Sequence, residues 1–272
     1  MSADIAILAG SGSLPEAVHQ ALPEAWIVTF EGVPVSISAS NQTISARFEK
    51  LGSLFNDLRA KGVTRLVLAG AMARPQLDPS QLDPFMLSIL PSLMEKLSSG
   101  DDTLLRYVIH LFETEGFAIV PASDVVGNLL MPQGPLVGKM DDYIPSDLVK
   151  ADRILSVTAE LDIGQAVVVE QGAVLGVETL QGTDALLGNV AGTSKQLRPF
   201  WGRGILVKRP KIGQDLRIDM PALGPKTVEA AAQAGLTAII ATPHHVLLLE
   251  REKTLDLARA LQIAILGVDL QS

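Results

Sequence analysis

Apolar residues recur along this chain in short runs separated by stretches of helical spacing. IAILA at Ile5–Ala9 is the first run, closed by Gly10. A helix-like stretch covers 14–22, and WIVTF at 26–30, rich in branched and aromatic residues, reads as the next strand. Leu51, Leu54, Phe55 and Leu58 then return at three- and four-residue spacing; Gly62 ends that helix, and VTRLVLA at 63–69 is a strand closed by Gly70. Residues 85–97 and 104–112 are expected to be helical, and 117–120 to add a strand. Such alternation predicts a parallel sheet covered by helices, whose ligands sit at the carboxyl ends of the strands. Gly10 and Gly70 both fall there.

The segment 131–145, MPQGPLVGKMDDYIP, holds three prolines and little periodicity, and predicts a linker. Beyond it a helix is expected at 147–161, strands at 166–170, 174–177 and 204–207, a helix at 226–234, strands at 236–240 and 246–249, a helix at 255–261 and a strand at 263–268. The expected fold class is therefore α/β in two domains: a Rossmann-like parallel sheet with helices over 1–132, and a C-terminal α/β domain over 146–272. The longest uncharged stretch, 230–249, matches a membrane span in length, but Gln233, Gly235, Pro243, His244 and His245 interrupt it. No transmembrane segment is expected, and the opening MSADIAILAG, with Asp4 and no basic residue, is unlike a secretory signal.

Composition narrows the chemistry. The 272 residues include no cysteine, which removes disulfides, thiolate nucleophiles, iron–sulfur clusters and Cys-ligated zinc. A net charge of -8 disfavours general nucleic-acid binding. The charge is unevenly spread: Lys195, Arg198, Arg203, Lys208, Arg209, Lys211 and Arg217 face a single acid, Asp215, within one window. That window is either a solvated loop or a means of neutralising phosphate or lipid headgroups. Lys208, at the end of an expected strand, is its member best placed to enter a site.

Several constellations carry candidate chemistry. AGSGSLP at 9–15 follows the first strand directly, where glycines and a helix start suit an anionic group. It reads as a phosphate or nucleotide contact or as a structural tight turn; Pro15 stands where a dinucleotide fingerprint needs its third glycine, although Glu31 is placed like a ribose-binding acid. In GQDLRIDMPALGP at 213–225, period-two alternation predicts Asp215, Arg217 and Asp219 on one face, as a metal or water site or as an ion pair. QGTDA places Gly182, Thr183 and Asp184 before an expected helix, and Gly100, Asp101 and Asp102 precede another; both sets read as helix caps or as oxygen ligands for magnesium. GPLVGKM at 134–140 falls one residue short of a P-loop and lacks Ser or Thr after Lys139, so it is rejected. His244 and His245 read as turn residues.

Together, AGSGSLP, AGAMARP at 69–75, GDDTLLR at 100–106, LDIGQAVVVEQG at 161–172, QGTDALL at 181–187 and LRIDMPALGPKTVEAAAQAGL at 216–236 resemble the LpxI-type UDP-2,3-diacylglucosamine pyrophosphatases. The likeness runs over nearly the whole chain, ending in LGVD at 266–269. It implies a magnesium-dependent hydrolase of lipid A biosynthesis that splits UDP-2,3-diacylglucosamine into UMP and 2,3-diacylglucosamine 1-phosphate by attack of water at the sugar-side phosphorus. It also implies a homodimer, cytoplasmic and in transient peripheral contact with the inner membrane, with catalysis in the C-terminal domain. The family's essential aspartate, in an R-[VI]-D-[LM]-P pattern, falls on Asp219, in magnesium-assisted activation or positioning of that water. Gly10, Gly12, Gly70, Asp102, Gln165, Gly182, Thr183, Asp184 and Lys208 match positions expected around the substrate. Ala71 departs from relatives that carry Asn there. A nicotinamide-dependent oxidoreductase and a non-catalytic lipid-nucleotide carrier are the alternative readings.

Overall fold

Two sheets organise the chain, one in each of two units that divide between Gly127 and Asn128. The computed structural model describes residues 4–38, 40–72, 76–97, 101–198 and 200–270, with Asp101 and Asp102 described by backbone alone.

In the first unit the elements are β1 (Ile5–Ala9), α1 (Leu14–Ala21), β2 (Trp26–Phe30), β3 (Thr43–Ala46), α2 (Leu51–Ala60), β4 (Arg65–Ala69), α3 (Pro84–Leu97), α4 (Asp101–Thr114), β5 (Ala118–Ile119) and α5 (Ala122–Val125). The sheet runs β3-β2-β1-β4-β5 with every neighbouring pair parallel, the Rossmann-like order. β1 is buried at all five positions, as a central strand covered on both faces must be. Among the strands of this unit, β3 escaped the periodicity. Its two inward residues, Ile44 and Ala46, alternate with exposed Thr43 and Ser45, an edge-strand pattern too short to read in isolation. Phe55 of α2 meets Phe85 of α3 and Phe112 of α4 edge-on, at centroid distances of 5.0 and 5.1 Å, and so ties three helices together.

The second unit contains β6 (Gly134–Val137), α6 (Ile144–Ala159), β7 (Ala166–Glu170), β8 (Ala173–Val177), α7 (Gly182–Ala191), β9 (Gly204–Lys208), β10 (Ala222–Leu223), α8 (Pro225–Gln233), β11 (Leu236–Ala241), β12 (Leu247–Leu248), α9 (Arg251–Ala260) and β13 (Ala264–Gly267). Its six-stranded sheet is ordered β6-β13-β11-β9-β7-β8; β9, β11 and β13 are parallel, while β6, β7 and β8 are antiparallel to their neighbours. Alternate residues serve opposite faces. Val168, Leu206, Ile239 and Ile265 join the core shared with α7, α8 and α9, whereas Val167, Ile205, Val207 and Ile240 join that under α6.

The expected linker is the main departure. Residues 134–137 form the edge strand β6, paired with β13, and Gly138 at φ +72° follows it, close against Ala264. The stretch 134–140, already rejected as a P-loop, holds this strand and the turn at Gly138. β10 and β12 pair in a small sheet of their own, so the strand expected at 246–249 does not extend the main one. Among the described residues no helix is long and apolar enough to cross a membrane.

Phe55 is 1% exposed. Phe55→Ala is expected to lower stability by about 3–5 kcal/mol, as a fully buried aromatic truncation does, read as the shift of the urea unfolding midpoint. A loss below about 1 kcal/mol would show that the three helices do not depend on this ring.

Candidate active site

The candidate site is built at the carboxyl edge of the second sheet. β9 is buried at every position and ends on Lys208, whose register partners are Ala166 in β7 and Ala241 in β11. The backbones of Gln165 and Thr242, each one residue beyond a partner, flank that of Lys208 on either side. Glu178 lies at the same edge, since its backbone N–H donates to the Ala166 carbonyl at 2.8 Å. The chain then turns through Gly182, at φ +83°, into α7. The Lys208 ammonium donates to Thr183 Oγ1 at 2.8 Å, and the Thr183 hydroxyl donates to Glu178 Oε2 at 2.6 Å. Thr183 is thus a bridge between a cation and a carboxylate, not the helix cap that the sequence allowed; Gln181 stands at that position.

Lys208 and Glu178 are each 6% exposed. Burial pushes the lysine pKa below its ordinary 10.5, and the negative charges of Glu178, Asp219 and Asp184 oppose that fall. Gln165 Oε1 and Thr242 Oγ1 are buried without a hydrogen-bond partner. Buried polar atoms are nearly always paired, so these two oxygens stand out in the second unit.

Asp219 does not share a strand face with Asp215 and Arg217. Residues 216–218 form a turn in which Asp215 accepts from the Arg217 backbone N–H at 3.1 Å, and the Asp215 carbonyl accepts from the N–H groups of Ile218 and Asp219. This local side-chain bond outcompetes a ladder for the backbone. Arg217 also folds back to pair with the Asp215 carboxylate at 2.7 Å. Asp219 is exposed, and its carboxylate accepts from Gln214 Nε2 at 2.7 Å.

The basic window also dissolves in three dimensions. Arg198 and Glu170 form an ion pair with both side chains fully buried, and Arg198 stacks 4.3 Å from the Trp201 ring. Arg209 pairs with Asp152 and Lys211 with Asp162, while Lys195 and Arg203 lie over aromatic rings. Lys208 joins the candidate site through Thr183.

In the first unit, the loops after β1 and β4 come together backbone to backbone. Ser11 and Ala71 exchange N–H···O bonds of 2.8 and 3.0 Å. A Cβ on Gly10 would lie 2.6 Å from the Ala71 carbonyl oxygen, and one on Gly70 2.5 Å from that of Ser11, so both positions require glycine. Gly12, at φ +97°, completes this carboxyl edge. Glu31, the residue placed like a ribose-binding acid, is paired with Arg47 at 3.2 Å, which weakens a dinucleotide reading.

The model of the LpxI N-terminal domain matches residues 4–129, and that of the LpxI C-terminal domain matches residues 132–266. The chain belongs to the LpxI family. It is also 40% identical over 227 residues to the UDP-2,3-diacylglucosamine pyrophosphatase LpxI of Caulobacter vibrioides, covering 82% of this chain and 80% of that protein. Within the LpxI C-terminal unit, Gln165, Gly182, Thr183, Asp184 and Lys208 converge on one sheet edge, with Asp219 within electrostatic reach of the lysine. The side chain of Asp102 lies outside the described residues. Glu178 and Thr242 carry no motif that marks them in the sequence. An acid directly after the apolar run AVLGV, five residues before Thr183, was the available sign of Glu178.

Removing Glu170 would strand a buried guanidinium. Glu170→Ala is expected to cost about 3–5 kcal/mol in an unfolding titration, and Arg198→Ala a comparable amount. A near-neutral result for either would contradict the structural role assigned to Arg198.

Proposed function

We propose that this LpxI-family enzyme hydrolyses the diphosphate of UDP-2,3-diacylglucosamine, yielding UMP and 2,3-diacylglucosamine 1-phosphate as a step in lipid A biosynthesis. The observation that carries the reading is a buried ammonium, Lys208, at a sheet edge beside a helix N-terminus, with acidic residues around it. A diphosphate brings negative charge that such an edge accommodates, and the relative from Caulobacter vibrioides supplies the substrate class.

In this reading the Lys208 ammonium donates to a phosphoryl oxygen, where negative charge accumulates as water attacks the sugar-side phosphorus and UMP departs. The first-turn N–H groups of α7 face the same anion. Asp219, exposed and steadied by Gln214, orients the attacking water and accepts its proton. Gln165 and Thr242 hold the substrate's polar groups through their unpaired oxygens. Gly10, Gly12 and Gly70 are read as substrate contacts as well. Leu161, Ile163, Leu180 and Ile212, all exposed, lie in the loops at the same edge of the second sheet and offer apolar surface to acyl chains.

The donor set also bears on magnesium. Among the described residues no group of three His, Asp or Glu side chains could hold a metal, so no protein cage is built there. Asp219 and Asp184, exposed carboxylates beside a phosphate-binding cation, fit magnesium bound through one or two acids, water and substrate oxygens. Bound in that way, the ion would neutralise charge on the diphosphate. The protein is further read as a cytoplasmic homodimer in transient, peripheral contact with the inner membrane, with no nucleic-acid partner.

Purified protein given UDP-2,3-diacylglucosamine and magnesium is expected to release UMP, and EDTA to abolish the release. Asp219→Ala should lower kcat by about 10²- to 10⁴-fold, the range for loss of an acid–base group, with an unchanged melting temperature. Lys208→Met should lower it by about 10²- to 10³-fold. UMP release undiminished in Asp219→Ala would remove that residue from the chemistry, and no release by the unmodified chain would overturn the substrate.

A further inference from the structure

We propose that Glu178 is a positioning residue for this reaction, acting through the Thr183 hydroxyl to aim the Lys208 ammonium at the diphosphate; the inference rests on the hydrolase reading above. Three observations support it. Glu178 sits at the carboxyl edge of β8, held there by its N–H bond to Ala166, the register partner of Lys208. Its Oε2 accepts from Thr183 Oγ1 at 2.6 Å, and Thr183 Oγ1 accepts from Lys208 Nζ at 2.8 Å. Both ends of this chain of bonds are nearly sealed from water, Lys208 and Glu178 being 6% exposed each.

A hydroxyl has one proton and two lone pairs, and its rotor settles according to its strongest acceptor. The Glu178 carboxylate claims the Thr183 proton. A lone pair of the same oxygen is thereby turned toward Lys208, which donates one N–H to it and keeps two for a ligand. With a neutral amide at 178 the rotor loses that instruction, because the amide can donate its NH₂ to Thr183 instead of accepting the hydroxyl proton. Thr183 alone could not decide the direction. Glu178 is also the largest of the negative influences that offset the burial of Lys208, ahead of Asp219 and Asp184, so the carboxylate both orients and retains the cation. Nothing in this arrangement requires Glu178 to touch the substrate.

The test is a double-mutant cycle on UMP release, with magnesium present, using Glu178→Gln, Thr183→Val, the two combined, and Thr183→Ser. Each of the first two is expected to lower kcat by about 10- to 100-fold, the range for residues that orient a functional group, with KM changed by less than about 3-fold. The combination should be no worse than the poorer single variant, since both break one relay. Thr183→Ser, which keeps the hydroxyl, should recover most of the rate. Losses that multiply in the double variant, or Glu178→Gln within about 2-fold of the unmodified rate, would overturn the inference while leaving the hydrolase reading in place. If Glu178→Gln melts early, the contrast between Val and Ser at 183 carries the test, and equal losses in the two would overturn it. Absence of UMP release from the unmodified protein would instead overturn the hydrolase reading, and this inference with it.

Discussion

An ammonium group held inside a protein demands compensation, and the candidate site is arranged around that demand. Lys208 ends a strand buried at every position, so the peptide leading to it is fixed by the core and the side chain emerges where the sheet stops. Desolvation disfavours its charged form. Thr183, backed by Glu178, supplies the hydrogen bond, and three acids supply opposing charge. The site therefore inherits its rigidity from a β-ladder and its charge balance from loops that the ladder brings to one edge.

The two units solve a similar problem with different materials. Both place their candidate residues at the carboxyl edge of parallel strands, where successive loops converge. In the first unit the convergence is between backbones: Gly10 and Gly70 lack side chains because carbonyl oxygens occupy the space, leaving peptide groups as the surface. In the second the convergence is between side chains, with Lys208, Thr183 and Glu178 joined by hydrogen bonds. Elsewhere in the second unit, cations are used structurally. Arg198, sealed against Glu170 and bonded to the carbonyls of Ala234 and Gly235, fastens the segment before β9 to the turn before β11. Such a pair adds little net stability but becomes costly to break.

Charge counted along a chain is a poor guide to charge in space. Seven cations between Lys195 and Arg217 suggested an anion-binding surface, yet four of them meet acids and two lie over aromatic rings. Glu170, Asp152 and Asp162 lie 28 to 57 residues from their partners in sequence, beyond any local pattern. The alternation of Asp215, Arg217 and Asp219 misled for the opposite reason. A bond two residues long, from Asp215 to the Arg217 N–H, bends the chain where a strand pattern was written.

The amino-acid order by itself determined what depends on local periodicity: the apolar strands, most helices, the glycines that close β1 and β4, and the motifs by which the LpxI family is recognised. It also marked Asp219, Thr183 and Lys208, because motif spacing survives in one dimension. Three features were decided only by tertiary structure. Residues 134–137 became a strand because β13 offered an open edge, Glu178 became part of the site because it lies level with Ala166, the register partner of Lys208, where Thr183 bridges the two, and Arg198 left the basic window because Glu170 was waiting in the core. Each depends on a partner distant in sequence, and such a contact leaves no periodic trace in the segment it governs.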